Sequence, residues 1–129
     1  MSKSEKPVIA VTGGGQGIGR GILVYFAARG YNVAVLDINK ETAKIVAQEC
    51  VELGAEALAI ECDVTKREIV NDDYDQIKDN YGRLAVQVNN AGIFRRERIM
   101  DATPEVTDNL ININLHGVIN TSQAAIRIM

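Results

Sequence analysis

The chain has 129 residues, which suits one small domain, and its 47% hydrophobic content is ample for an apolar core. A net charge of −3 and an aromatic content of 5% provide neither a basic surface nor a stacking platform, so we expect no nucleic-acid partner. The apolar runs are far too short to span a membrane and the polar start has no signal-peptide core, so we expect a cytoplasmic protein without membrane contact.

A glycine-rich segment lies between the first predicted strand and the first predicted helix. The apolar run at 8–12 predicts the strand, the apolar-periodic stretch at 17–29 predicts the helix, and the residues joining them are Thr12-Gly13-Gly14-Gly15-Gln16-Gly17-Ile18-Gly19. A helix amino terminus has unpaired N–H groups and partial positive charge, so it can bind a pyrophosphate, and glycine lets phosphate approach the backbone. A glycine-rich loop without a ligand is the alternative interpretation.

The spacing of these glycines resembles the T-G-x-x-x-G-I-G turn of the short-chain dehydrogenase/reductase family rather than the strict G-x-G-x-x-G fingerprint. Members of that family that prefer NADP often have a basic residue where this chain has Gln16, which favours NAD here. The resemblance implies that the segment binds a dinucleotide cofactor through Thr12, Gly13, Gly15, Gln16, Gly17, Ile18 and Gly19.

The second predicted strand, at 32–37, ends in an acidic residue. Its apolar run is typical of a buried parallel strand, and Asp37 follows 18 residues after Gly19. Near that spacing, a carboxylate accepts hydrogen bonds from the adenosine ribose hydroxyls and would repel the 2′-phosphate of NADP. We therefore expect NAD as the preferred cofactor, bound in part by Asp37 and Ile38. The alternative is a strand-end acid that only starts a turn.

Two later strand ends also resemble the family. The strand predicted at 56–62 leads into Asp63-Val64, which is similar to the family's Asp-hydrophobic pair beside adenine. The strand predicted at 84–89 leads into Asn89-Asn90-Ala91-Gly92, which is similar to the N-N-A-G motif, and the resemblance implies that Asn90, Ala91 and Gly92 lie beside the cofactor. Ala85 stands where the family usually has Asp, and Gln87 interrupts an apolar strand; both departures concern local packing.

Further helices are predicted at 40–53, 66–80 and 104–129. Their starts are predicted by a cap at Asn39, a capping-box pattern at Thr65 and Glu68, and Pro in the pair Thr103-Pro104. The last helix contains Asn114, which matches an Asn of the family whose backbone carbonyl holds a water linked to the catalytic lysine. The resemblance thus gives Asn114 a catalytic part, whereas a solvated polar face is the alternative.

Some chemistry-bearing residues lie outside these motifs. Tyr74 and Lys78 have the Tyr-x-x-x-Lys spacing of the family's acid–base pair, but they precede the N-N-A-G motif, whereas the family's pair follows it. We therefore interpret them as surface residues of a charged helix. Cys50, Cys62 and His116 lack the spacing of metal ligands, so we expect no metal site and two buried, reduced thiols.

The alternation of strands and helices predicts an α/β fold with a parallel sheet and right-handed crossovers. By resemblance it is a doubly wound, Rossmann-type sheet in the order 3-2-1-4, in truncated form. The apolar pattern of the last helix runs to Met129 without a cap. We therefore expect residues 1–129 to be a single partial NAD-binding domain, cut before the segment with the catalytic Ser and the Tyr-x-x-x-Lys pair.

The resemblance implies an NAD(P)-dependent oxidoreductase that transfers a hydride between nicotinamide and a small-molecule alcohol or ketone. This chain alone is expected to be inactive, because the family's Ser, Tyr and Lys are absent. A non-catalytic nucleotide-binding or interaction fragment is the alternative function, and the unfolded remnant of a broken gene is a third. The family's helix that matches 104–129 lies at a subunit interface, so we expect a homo-oligomer.

Overall fold

The computed structural model describes residues 5–129, so the first four residues of the predicted polar start lie outside the description. The strands are β1 (Val8–Thr12), β2 (Asn32–Asp37), β3 (Ala57–Glu61) and β4 (Val86–Val88). The helices are α1 (Gly17–Ala27), α2 (Lys40–Glu52), α3 (Arg67–Tyr81), α4 (Pro104–Ile111) and α5 (Gly117–Ile128), with a 3₁₀ turn at Ile99–Asp101. Each predicted strand and helix is therefore present, within a few residues at its ends.

The strands form one parallel sheet in the order β3-β2-β1-β4, which confirms the predicted strand order. β1 pairs with β2 along its whole length and with β4 through Ile9↔Val86 to Val11↔Val88. β4 is shorter than the predicted 84–89, although the N–H of Ala85 already donates to the carbonyl of Val8. Because the strands are parallel, the segments that follow them meet at one edge of the sheet.

Helices cover both faces of the sheet. One face packs against α1 and α2, and its buried side chains include Ile9, Val11, Val33, Val35, Leu23 and Val46. The opposite face packs against α3 and α5, and its buried side chains include Val8, Ala10, Ala34, Leu36, Tyr74 and Ala124. Burial on both faces explains why the central strands are continuous apolar runs rather than alternating ones.

Two of the predicted helix starts are confirmed and one is wrong. The Asn39 side chain accepts hydrogen bonds from the backbone at the start of α2, and the Thr103 side chain accepts one at the start of α4. α3 begins after Lys66, which has no side-chain cap. The hydroxyl of Thr65 donates instead to Asp63 Oδ1 at 2.6 Å, so this local turn occupies the group that a capping box would use.

The helix predicted at 104–129 contains an irregularity. A π-helical segment, Asn112–His116, joins α4 to α5. Gly117 begins α5, and a Cβ atom there would lie 2.6 Å from Cγ2 of Val64. The last helix therefore approaches the segment after β3 more closely than any residue with a side chain would allow.

Tyr74 is not the surface residue that its charged helix suggested. Its side chain is fully buried, and its hydroxyl donates to Oε1 of Gln87 at 2.8 Å. The many charges around Tyr74 and Lys78 favour a surface position for both residues. Tyr74 nevertheless faces the sheet, whereas Lys78 is exposed.

Cys50 and Cys62 are buried and form no disulfide, as predicted. Burial raises the pKa of the Cys50 thiol to about 11.

Candidate functional site

A cavity of about 450 Å³ lies where the segments after the four strands meet. Open α/β sheets bind ligands at this carboxyl edge. Of the predicted site residues, those lining the cavity are Gly13, Gln16, Gly17, Ile18, Asp37, Ile38, Asp63, Val64, Asn90, Ala91 and Gly92. The predicted residues that do not line it are Thr12, Gly15, Gly19 and Asn114, and they contact residues that do.

The turn after β1 is so tightly packed that side chains are excluded at several positions. Gly13 has a φ of 64°, and a Cβ atom on it would meet the Cα of Ala91 at 3.0 Å. A Cβ atom on Gly19 would collide with the carbonyl oxygen of Gly13. Gly17 also has positive φ but has open space around it, so a ligand in the cavity can reach its backbone.

Among residues 5–129, no side chain caps the amino terminus of α1. Gln16 occupies the N-cap position without a side-chain hydrogen bond to the helix, and the first turn has no acidic residue. Gln16, Gly17 and Ile18 all line the cavity. The N–H groups of this turn and the positive end of the helix dipole are therefore directed to a site that suits a phosphate.

Asp37 is fixed on the cavity wall by two backbone donors. The N–H of Gly15 donates to Oδ2 of Asp37, and the N–H of Asn39 donates to Oδ1, both at 2.9 Å. Each carboxylate oxygen has a further lone pair, so acceptor capacity remains for ligand hydroxyls. The strand end thus presents an oriented acceptor beside the glycine turn.

The Asp63-Val64 pair forms the wall of the cavity after β3. Asp63 Oδ1 accepts the N–H of Thr65 at 3.0 Å in addition to the Thr65 hydroxyl. The carbonyl of Val64 accepts Nδ2 of Asn120, which ties this segment to α5. Cys62 lies on the same wall, where burial raises the pKa of its thiol and keeps it protonated.

The N-N-A-G turn after β4 is bonded directly to the glycine turn. The Thr12 hydroxyl oxygen accepts the N–H groups of Asn90 and Ala91, both at 3.0 Å. Asn90 Nδ2 donates to the carbonyl of Gly13 at 3.1 Å. Thr12 is 2% exposed, so its side chain links the two turns and does not itself face the cavity.

A polar network that the sequence reasoning missed holds the same turn from the other side. Asn89 Oδ1 accepts the Thr121 hydroxyl at 2.7 Å and Nε2 of Gln87 at 2.9 Å, and Asn89 Nδ2 donates to Ser122 Oγ at 3.0 Å. Gln87 also accepts the buried hydroxyl of Tyr74. The signal was the polar Gln87 within an apolar strand, because a polar side chain in such a position needs a partner.

Asn114 lies in the π-helical segment and pairs with the loop that follows the N-N-A-G turn. Its Oδ1 accepts the N–H of Ile93 and its Nδ2 donates to the carbonyl of Ile93, both at 2.9 Å. A Cβ atom on Gly92 would meet the same amide at 3.0 Å. The side chain is therefore fixed to a wall of the cavity, which a merely solvated polar face does not explain.

The sequence model of the short chain dehydrogenase family matches residues 7–129. The chain belongs to this family. It is 38% identical over 122 residues to carbonyl reductase family member 4 of Xenopus tropicalis and 37% identical over 122 residues to the 3-oxoacyl-[acyl-carrier-protein] reductase of Bos taurus. Each alignment covers 95% of this chain and 50% of the relative, so the chain spans about half the length of these curated relatives.

Solved structures of the family share the fold. A short-chain type dehydrogenase/reductase from Mycobacterium marinum superimposes with a TM-score of 0.91 at 33% identity, covering 95% of this chain and 49% of the other. NAD⁺-bound xylitol dehydrogenase superimposes with a TM-score of 0.92 at 30% identity, covering 95% of this chain and 48% of the other. The predicted Rossmann-type sheet is thus confirmed as the fold of a short-chain dehydrogenase.

Four residues that line the cavity were not predicted from the sequence: Leu36, Cys62, Ile93 and Ile113. The first two directly precede Asp37 and Asp63, and Ile93 directly follows Gly92, so extending each motif by one residue would have found three of them. Ile113 enters from the π-helical segment, and no local pattern marks it.

Over residues 5–129 of this short-chain dehydrogenase, no helix is long and apolar enough to cross a membrane. No group of three His, Cys, Asp or Glu side chains that could hold a metal ion occurs in that range either. His116 is exposed in the π-helical segment, as expected for a helix-surface residue.

Proposed function

We propose that this chain is the NAD-binding part of an oxidoreductase that acts on an alcohol or carbonyl compound. The proposal rests on one observation: the uncapped amino terminus of α1 and the carboxylate of Asp37 line the same cavity. The first group binds an anion and the second accepts hydrogen bonds from hydroxyls, and adenosine diphosphate presents both kinds of group side by side. The names of the relatives, a carbonyl reductase and a 3-oxoacyl reductase, support this reaction class.

The residues present fit a dinucleotide. The backbone of the glycine turn, open at Gly17, would receive the pyrophosphate, and the lack of side chains at Gly13 and Gly19 lets this turn pack closely on itself and on the N-N-A-G turn. Asp37 and Ile38 would hold the adenosine ribose, and Asp63 and Val64 the adenine. The N-N-A-G turn would lie beside the second ribose.

We propose a preference for NAD over NADP. A carboxylate at position 37 repels the 2′-phosphate that distinguishes NADP. The glycine turn supplies no cation that could offset this repulsion, because Gln16 is uncharged. Arg20 in the first part of α1 already forms an ion pair with Glu49 at 2.6 Å.

When bound, the nicotinamide supplies the hydride chemistry. This chain binds and orients the dinucleotide. We propose that Asn114, fixed to Ile93, positions its own backbone carbonyl for a water in the proton path of the complete protein. Tyr74 cannot act as the acid/base, because its hydroxyl is buried and donates to Gln87, and burial raises its pKa rather than lowering it. We therefore expect this chain alone to bind NAD without oxidising an alcohol.

Titration of the purified chain with NADH and NADPH, followed by nicotinamide emission and calorimetry, tests the proposal. We expect saturable NADH binding that is tighter than NADPH binding. Asp37→Ala should weaken NADH binding by about tenfold or more, the scale of a lost hydrogen bond to a charged group, and narrow the difference between the cofactors.

Asp79→Ala is the matched control, because Asp79 is an exposed carboxylate on α3 and should affect neither affinity. A folded chain that binds neither dinucleotide would contradict the proposed function. Equal affinities that Asp37→Ala leaves unchanged would contradict the preference for NAD alone.

A further inference from the structure

Gly15 lies against Asp37 without lining the cavity. It is not among the glycines with positive φ, so its backbone conformation does not require glycine. A Cβ atom at this position would lie 2.8 Å from Oδ2 of Asp37 and closer still to Oγ1 of Thr42. Real Cβ atoms do not approach oxygen atoms this closely, so any side chain at position 15 must displace the carboxylate, the hydroxyl or both.

Neither neighbour of Gly15 is free to move without losing hydrogen bonds. The Thr42 hydroxyl donates to the carbonyl of Asn39 at 3.1 Å, and the Thr42 N–H donates to Oδ1 of Asn39 at 3.2 Å. The Asp37 carboxylate accepts the N–H of Asn39 as well as that of Gly15. The start of α2 thus fixes both groups, and a side chain at position 15 would disrupt this arrangement.

We propose that Gly15 is a specificity-determining residue. Because it has no side chain, the Asp37 carboxylate can stay in the position where it accepts a ribose hydroxyl and rejects a 2′-phosphate. This inference rests on the proposed function. Gly15 acts as a positioning residue through the carboxylate. A larger residue at position 15 would turn the carboxylate away from its two N–H donors. It would thereby reduce the discrimination between NAD and NADP although Asp37 itself is still present.

The binding test compares Gly15→Ala with Gly21→Ala. Gly21 is an exposed glycine of α1 with no atom within 4 Å of an added Cβ, so it controls for the Gly-to-Ala change itself. We expect Gly15→Ala to weaken NADH binding by about tenfold and NADPH binding by less, with no further change in their ratio when it is added to Asp37→Ala. A wild-type ratio of the two affinities in Gly15→Ala would overturn the proposal.

A second variant at the same site keeps the test valid if Gly15→Ala fails to fold. Gly15→Ala/Thr42→Ala removes the closest contact but leaves the one to Asp37. We expect this double variant to give the far-ultraviolet circular dichroism of the wild type and still to show reduced discrimination. Full wild-type discrimination in the folded double variant would also overturn the proposal.

Amide hydrogen exchange of the free chain gives a readout that needs no dinucleotide. In Gly15→Ala the N–H of Asn39 should exchange faster, as in Asp37→Ala, whereas Gly21→Ala should leave it unchanged. Unchanged exchange at Asn39 would overturn the inference even if NADH binds. If the wild-type chain binds neither dinucleotide, the specificity claim fails with the proposed function, and faster exchange would still show that Gly15 holds the carboxylate.

Discussion

Asp73 on α3 is an acidic residue in an apolar place. It is 6% exposed, and within residues 5–129 its Oδ2 has no hydrogen-bond partner. Burial raises its pKa above the ordinary 3.8, because the ionised carboxylate loses hydration, although a hydrogen bond from the Cys62 thiol opposes this effect. The residue therefore makes the stability of the fold depend on pH.

We expect Asp73→Asn to remove this dependence. The folded state binds the Asp73 proton more tightly than the unfolded state, so its stabilisation is fully present below pH 3.8 and is lost as pH rises through the raised folded pKa. The free energy of unfolding of the wild type, relative to Asp73→Asn, should fall across this window and then level off. Urea unfolding at a series of pH values measures it.

The control for this experiment is Asp79→Asn, an exposed position on the same helix. Its stability relative to the wild type should vary little over the same pH values. A stability difference between wild type and Asp73→Asn that stays constant with pH would show that the carboxyl group titrates alike in the folded and unfolded chain.

Among the elements, α3 shows how composition can mislead where periodicity does not. The charges between 71 and 80 suggested a surface helix. Val70, Tyr74, Ile77 and Tyr81 nevertheless recur at helical spacing, and all of them are buried against the sheet. The burial of Tyr74 could have been predicted from this pattern, and its partner from the polar Gln87 in β4.

The ends of β1 and β2 could be predicted because they follow from local apolar patterns, and the strand order because the motifs resemble those of a family with the doubly wound fold. The orientation of Asp37 could not, because it depends on N–H groups of Gly15 and Asn39 in two different segments. The π-helical segment was also beyond local reasoning. It directly precedes Gly117, which lies against Val64, a residue far away in the sequence.

Tyr74→Phe should destabilise the fold by about 1–2 kcal/mol, because the change leaves Oε1 of Gln87 without its buried donor. It should not change NADH affinity, since Tyr74 does not line the cavity. Chemical denaturation and NADH titration measure the two effects. Tyr25→Phe, at an exposed position on α1, is the matched control. Loss of an alcohol-oxidising activity on Tyr74→Phe, with stability intact, would reverse our assignment of this residue.

Gly117→Ala should destabilise the chain by about 1–3 kcal/mol, the cost of overpacking a tight contact, because its Cβ would overlap the stiff side chain of Val64. Gly21→Ala, in open space on α1, should be neutral or slightly stabilising, because alanine is the better helix former. Urea unfolding of both variants compares them. Equal changes in the free energy of unfolding for the two variants would mean that α5 and the segment after β3 can move apart at little cost in stability.

At the scale of the whole molecule, the features that favour association are the outer edge of β4 and the exposed apolar side chains of α5. In the part of the chain that the structure describes, β4 pairs with β1 alone. On α5, Ile119 is 40% exposed and Ile126 is 71% exposed, and their spacing of seven residues places them on one face. An apolar strand edge beside an apolar helix face is a surface that favours association with another chain.

We therefore expect this chain to self-associate at micromolar concentration, with a small discrete oligomer as the most ordered product. Size exclusion coupled to light scattering measures the mass directly. Ile119→Lys/Ile126→Lys should shift the chain toward monomer, because it places two charges on the apolar face of α5. Ile45→Lys, a comparably exposed change on α2 across the sheet, should not. A monodisperse wild-type monomer that unfolds cooperatively would show that these residues close their own core without a partner.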